Sequence, residues 1–169
     1  SYLAVTGVQT CALPISIETV FERYSIPAYL SRRSSMLEKP VWSLITGVLS
    51  ALENGLEYED MFRWLKTGLA GLMPEECDEL ENYVLTWEIH GKMWLRDVDW
   101  TDNPDGYGAP WDKRRQARLD RVNELRRRVR APLAELYEGL KAGVTPGEKV
   151  NSLYSFLEHL NLQNALEEQ

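Results

Sequence analysis

The sequence is poor in residues that do chemistry on their own. Two cysteines, Cys11 and Cys77, and two histidines, His90 and His159, stand among 169 residues. Cys77 and the two histidines lack zinc-ligand spacing, and a lone Cys near neither His supports no nucleophile. There is no Ser-His-Asp signature. No apolar run approaches the roughly 18 residues of a membrane span. No internal repeat and no low-complexity tract is present, which excludes solenoids and repeat arrays. One run, Gly143-Val-Thr-Pro-Gly-Glu-Lys149, superficially evokes a phosphate loop. It fails the spacing: Glu148 intervenes before the Lys, and Val150 stands where Ser or Thr is needed. What is present suits a folded, soluble domain. Hydrophobic residues make up 44% of the chain, and six Trp and eight Tyr argue against disorder. A chain of this length buries about two-thirds of its unfolded surface and needs no covalent or metal staple.

The cysteine count changes when the first residues are read closely. Val5 to Ile15, VTGVQTCALPI, resembles residue for residue the translation of a common sequencing-library adaptor. Residues 1–15 are therefore read as an artefactual leader and not native sequence. The alternative, a signal peptide cut near ALPIS, lacks a basic n-region and an unbroken apolar stretch. Native sequence is then expected from Ser16, with Cys77 as its one cysteine. A single cysteine forms no internal disulfide, which fits a reducing, cytoplasmic setting.

The remainder reads as mainly helical. Ser16 caps a short helix, IETVFERY, which Pro27 stops, and SIPAYL around it suits a short strand near residues 26–30. Ser31-Arg32-Arg33 is a small basic patch. Pro40 begins a helix ending at Gly55, with Val41, Leu44, Ile45, Val48, Leu49 and Leu52 at helical spacing. A second helix is expected from Tyr58 to Thr67. A third opens at Pro74 with Glu75, Glu76 and Asp78 in its first turn and closes at Gly91. Leu95 to Pro110 is a polar loop dense in Asp, Gly and Pro. A long helix follows from about Asp112 to Ala142, which Pro132 should kink or divide. Thr145-Pro146-Gly147-Glu148 is a capping box for a last helix carrying Val150, Leu153, Tyr154, Leu157 and Leu160. The chain stops at ALEEQ, in what reads as an unfinished helix.

Each chemical candidate has a structural rival. The acids Glu75, Glu76, Asp78, Glu79 and Glu81 fit a solvated helix start better than a metal site. The loop acids Asp97, Asp99, Asp102 and Asp105 lack the glycine and closing glutamate of a calcium loop. Charge is the sharpest anomaly. Trp111 to Arg130 holds nine Lys or Arg against three acids, a surplus of six on a chain whose formal charge is −7. Arg114, Arg118 and Arg121 share one helix face, and Leu119, Val122, Leu125 and Val129 another. A solvated face balanced against the acidic helices explains this stripe. The competing reading is contact with a nucleic-acid backbone through Lys113, Arg114, Arg115, Arg118 and Arg121. Trp42, Trp64 and Trp87 fall in helical patterns and are expected in the core. Trp94, Trp100 and Trp111 flank the loop as packing or stacking surfaces.

A family resemblance runs along most of the chain. VFERYSIPAYLSRRSSMLEKPVWSLI (Val20 to Ile45) resembles a stretch of superfamily 1 helicases. There a helix leads to a strand and then to the insertion of the second RecA-like domain. Tyr58 to Trp94 is more specific and resembles the B subunit of the bacterial AddAB-type (RexB-like) ATP-dependent helicase–nuclease. The elements carrying this are LKTGL (Leu65 to Leu69), DELENYVL (Asp78 to Leu85) and the I-x-G-x-x-W of Ile89 to Trp94. VNELRRRVRAPL (Val122 to Leu133) and SLYSFLEHL (Ser152 to Leu160) also fit. The resemblance implies a part in double-strand-break repair by DNA end resection. It implies a division into the tail of the second RecA-like domain at 16–55 and a helical insertion domain at 56–169, cut short at its C-terminus. ATP with magnesium and an iron–sulfur cluster belong to the parent family elsewhere in the chain. Neither an ATP loop, a nuclease motif nor the cluster cysteines occur here, so no catalytic, cofactor-binding or metal residue carries over. The implied partners are the A subunit of the same enzyme and DNA, bound non-specifically, with no membrane. The alternative is a free-standing helical module that binds protein.

Overall fold

Among the described residues, five α-helices and one 3-10 turn are ordered by a single apolar core. The computed structural model describes residues 39–160. The adaptor-like run 5–15, the helix expected at 17–24, the strand expected at 26–30, the patch at 31–33 and the chain after Leu160 lie outside the described residues. The helices are α1 (Lys39–Glu53), α2 (Tyr58–Leu65), α3 (Pro74–Thr86), α4 (Lys113–Ala142) and α5 (Pro146–His159), with the 3-10 turn Gly91–Met93 after α3. No strand occurs among the described residues, so the mainly α reading stands. No described helix is long and apolar enough to cross a membrane.

The helix ends show where local chemistry overrides the coarse pattern. After α1, Gly55 takes φ +87° and the Leu56 N–H returns to the Ala51 carbonyl at 2.7 Å, the six-to-one bond of a Schellman motif. Helix α2 stops at Leu65, not Thr67. The Thr67 hydroxyl donates to the Trp64 carbonyl at 2.7 Å and accepts from the Leu69 N–H at 3.3 Å, which diverts the chain. Helix α3 ends at Thr86 and does not run on to Gly91. Glu88 turns left-handed at φ +48°, and the Ile89 N–H bonds back to the Val84 carbonyl at 3.0 Å. Gly91 instead starts the 3-10 turn. Helix α4 is one unbroken helix of 30 residues, about 45 Å long, so Pro132 does not divide it. The proline ring is buried in the apolar row that includes Val129, Leu133 and Leu136, and this packing holds the helix across it. Thr145 caps α5 as expected: its hydroxyl accepts from the Glu148 N–H at 3.2 Å, and Glu148 Oε2 accepts from the Thr145 N–H at 3.0 Å.

Two helical hairpins make the core. Helix α1 lies on α2 through Leu44, Val48 and Leu49 against Met61, Trp64 and Leu65. The second half of α4 lies on α5 through Leu136, Leu140, Leu153 and Phe156. Helix α3 joins them by packing on both α2 and α4. The Trp64 and Phe156 rings meet edge-on at 6.0 Å, linking the hairpins directly. On α5 the buried aromatic is Phe156, whereas Tyr154 is exposed. Trp64 is fully buried, and Trp42 and Trp87 are partly buried against the same core. Each buried leucine contributes on the order of 1.5–3 kcal/mol, so the common core dominates any single polar contact.

Close approach in the first hairpin depends on Gly47. A Cβ there would lie 2.8 Å from the Trp64 Cβ and 3.3 Å from its Cα. Neither atom can swing away, so Gly47→Ala must push α1 off α2. The expected cost is about 1–3 kcal/mol, read as a lower urea midpoint with unchanged slope. An unchanged midpoint would show that the hairpin is looser than this spacing.

Candidate nucleic-acid interface

The basic stripe lies on the first half of α4, against the loop that joins the 3-10 turn to that helix. That loop has no secondary structure, so its buried N–H and C=O groups need other partners. Side chains supply them. The Asn123 amide of α4 accepts from the Trp100 N–H at 2.8 Å and donates to the Trp100 carbonyl at 2.9 Å. The Tyr83 hydroxyl of α3 does the same for Asp102, accepting from its N–H and donating to its carbonyl at 3.1 Å each. Trp87 Nε1 donates to the Asn103 carbonyl at 3.0 Å, and Asn103 Nδ2 donates to the Ala109 carbonyl at 3.0 Å. Burial of Tyr83, with the Asp102 charge adding to it, pushes its phenol pKa up to about 12. It therefore stays a hydrogen-bond donor throughout the physiological range.

Aromatic packing fixes the same loop. Trp100 stacks on Tyr83 with ring centres 5.1 Å apart and planes 6° apart. Trp94 meets Trp100 edge-on at 5.6 Å. The Arg126 guanidinium carbon lies 5.3 Å from the Trp100 ring centre. Arg126 is only 1% exposed and donates to the Arg96 carbonyl, with Asp99 at 3.9 Å. Burial pulls its pKa down, and the aromatic face and these partners keep the charge tolerable. Of the three loop tryptophans, Trp94 and Trp100 are thus core residues, and Trp111 alone is exposed.

The cations of α4 meet acids of the loop and of α3. Arg115 holds Asp105 at 2.7 Å and also pairs with Asp112, the residue that caps α4. Arg118 shares Asp105. Arg121 reaches Glu79 at 3.0 Å and Glu76 at 3.3 Å. Arg128 takes Glu76 at 3.0 Å and the Gly71 carbonyl. Arg127 pairs with Asp99, and Arg130 with Asp97 at 3.1 Å. Lys113 and Arg114 are exposed, and no described carboxylate pairs with them. The five residues singled out in the sequence therefore divide: Arg115, Arg118 and Arg121 brace the fold, while Lys113 and Arg114 face outward unpaired.

The acidic start of α3 is more than a solvated helix end. Glu75 and Asp78 are exposed, but Glu76 and Glu79 are half-buried partners of α4. Glu81 pairs with Lys66 at 2.7 Å and accepts from the Tyr58 hydroxyl at 2.7 Å. No group of three His, Cys, Asp or Glu able to hold a metal ion occurs among the described residues. Cys77 is a buried free thiol whose pKa burial pushes up, the opposite of what a nucleophile needs. His90 is exposed, and His159 lies 3.5 Å from Glu135. Sequence reasoning missed Asn103 and Asn123 as loop organisers. A signal existed in α4: Asn123 and Arg126 interrupt the row begun by Leu119 at the four- and three-residue steps of a buried helix face.

No protein-family model matches the chain. Curated relatives do. The chain is 34% identical over 155 residues to the B subunit of the ATP-dependent helicase/deoxyribonuclease of Clostridium tetani, covering 89% of this chain and 13% of the relative. It is 35% identical over 155 residues to the protein of the same name from Acetivibrio thermocellus, 90% of this chain and 13% of the relative. With the Clostridium novyi protein of that name it shares 32% over 151 residues. The resemblance to this B subunit is thus borne out, and the chain spans only about an eighth of the length of those relatives.

Removing the Asn123 amide should leave both Trp100 backbone groups buried without partners. Asn123→Ala is expected to cost about 3 kcal/mol in urea unfolding and to speed amide exchange at Trp100 and its loop neighbours. Loss of stability with unchanged loop exchange would mean that the loop is held by its rings alone. The ion pairs set an acid limit. Hydrogen bonds from Arg128 and the Met73 N–H lower the Glu76 pKa, from Arg127 that of Asp99, and from Arg115 that of Asp105. A carboxyl depressed on folding adds stability above its unfolded pKa, near 4, and loses it as pH falls through the folded value. The urea midpoint should hold between about pH 7 and 5 and drop below about pH 4. A double variant, Asp99→Asn with Asp105→Asn, should flatten that drop.

Proposed function

We propose that this chain is a non-catalytic helical part of the B polypeptide of an ATP-dependent helicase/deoxyribonuclease that acts in double-strand-break repair. The observation that carries this reading is similarity to such polypeptides along about nine-tenths of the chain. On this reading the parent is cytoplasmic, and its partners are the A subunit of the same enzyme and DNA. On this reading the insertion of the helicase-like half starts at 56, after α1, and α1 packs on α2 in one core. The insertion's task is to hold a shaped loop and the start of α4 at the surface. ATP hydrolysis and strand cleavage fall to other parts of the parent.

Within this role, the positive charge available to a DNA backbone is narrower than the stripe in the sequence. Lys113 and Arg114 can neutralise phosphates without breaking an existing pair, whereas Arg115, Arg118 and Arg121 cannot. Binding should be independent of DNA sequence and weaken as salt rises. Lys113→Glu with Arg114→Glu should lower affinity about tenfold or more at low salt and reduce the salt slope by about two. Arg121→Ala should lower thermal stability before it lowers affinity. Fluorescence anisotropy with labelled DNA at several salt concentrations reads this. Unchanged affinity in the double variant would remove DNA contact from the proposal. For the parent, a clean genomic assembly should continue this reading frame into helicase-like sequence upstream and a nuclease with cysteines downstream.

A further inference from the structure

The loop tip presents an aromatic pair that neither the core nor the ion pairs account for. Two turns shape it. The Gly106 N–H returns to the Asn103 carbonyl at 2.9 Å, and the Ala109 N–H to the Gly106 carbonyl at 3.4 Å. Gly106 at φ +94° and Gly108 at φ +78° take backbone conformations that other residues resist. Tyr107 sits at the corner between them and is 99% exposed. Trp111 follows and is 52% exposed. Next come Lys113 and Arg114, exposed and unpaired among the described residues. Chain length alone keeps Tyr107 within about 14 Å of Trp111, and Trp111 within about 11 Å of Arg114.

We infer that this tip is a stacking platform for single-stranded nucleic acid, with Tyr107 and Trp111 taking bases and Lys113 and Arg114 taking the flanking phosphates. The inference rests on the DNA contact proposed above and deepens it. The chemistry favours a strand over a protein partner. Two exposed cations, Lys113 and Arg114, follow the rings directly in sequence and pair with no described carboxylate, so they are free to meet phosphates. The nearby acids Asp105 and Asp112 are already neutralised by Arg115 and Arg118, leaving Asp102 as the exposed carboxylate of the tip. An exposed base face is what these rings can use, and duplex DNA hides its base faces inside the stack. A strand should therefore bind better than a duplex of equal length. Base–aromatic stacking tolerates any base, so the preference for a strand should not depend on its sequence.

The test uses the full chain, a labelled oligo-dT of about 15 nucleotides and a duplex of the same length, read by anisotropy and tryptophan fluorescence. The wild type should prefer the single strand severalfold, with partial fluorescence quenching on binding. Tyr107→Ala and Trp111→Ala should each weaken oligo-dT binding about tenfold while duplex binding changes less than about twofold. Trp111→Phe should keep the affinity and lose much of the quench, a readout that a change in folding would not give. Tyr154→Ala, another exposed tyrosine, should change nothing. If both strands bind and Lys113→Glu with Arg114→Glu weakens them while the aromatic variants do not, the platform is overturned and the backbone contact stands. If neither strand binds, both fall. If the aromatic variants alter only self-association in sedimentation, the tip is a protein contact and the platform is overturned.

Discussion

Asn123 gives Trp100 the two hydrogen bonds that a neighbouring strand would give it, and much of the structure around α4 follows from that. Irregular chain can be buried only if its N–H and C=O groups find partners, because an unpaired one costs about as much as a lost hydrogen bond. Among the described residues there is no sheet to offer a ladder. Asn123 from α4 and the Tyr83 hydroxyl from α3 take that part for Trp100 and Asp102, two residues apart. Once those residues are tied, the Trp100 ring must enter the core, where it stacks on Tyr83 and meets Trp94. The loop is thus a third layer over α3 and α4, and both helices need it to cover their apolar rows.

Charge then sets the orientation of that layer. Seven of the nine cations between Trp111 and Arg130 meet a carboxylate. All seven are arginines, whose forked donors can hold a carboxylate and a backbone carbonyl together, as Arg128 does with Glu76 and the Gly71 carbonyl. Exposed pairs of this kind contribute little each, typically under about 1 kcal/mol. Their effect is positional: Asp97, Asp99 and Asp105 are spread along the loop, and each is drawn to a different turn of α4. Arg126 differs because it is buried, so its removal would leave a gap in the core as well as a lost charge.

The helices were legible because their signals are local. Thr145 and Glu148 cap α5 as their spacing requires, and the α1 row of Leu44, Val48 and Leu49 is buried as its period requires. The misses were set by tertiary partners. Nothing in the sequence near Thr86 announces that Glu88 will turn left-handed and end α3 early. Pro132 reads as a break, yet core packing carries α4 through it. Tyr154 and Phe156 lie two positions, about 200°, apart around the helix, so they flank opposite edges of the α5 apolar row, and the placement of α5 on α4 decides which is buried. The candidate site was half legible. The basic excess was plain, but the acids that consume most of it lie up to 52 residues away in sequence. Tyr107 carried no helical or strand pattern at all.

The same division explains how one element can both brace and bind. Arg115 grips Asp105 and Asp112, which ties the helix start to the turns of the loop. The loop is anchored behind by Asn103, whose amide donates to the Ala109 carbonyl while its own carbonyl accepts from the Trp87 ring. Ordering the tip in advance removes the entropy that a flexible loop would lose on meeting a ligand. The cations left over, Lys113 and Arg114, lie in the first turn of α4, where no described acid is within pairing distance. A helix whose arginines were all free would bind polyanions along its length but would lack a fixed loop. A helix whose cations were all paired would hold the loop and present nothing. Seven paired and two unpaired cations give a fixed loop with charge at its edge.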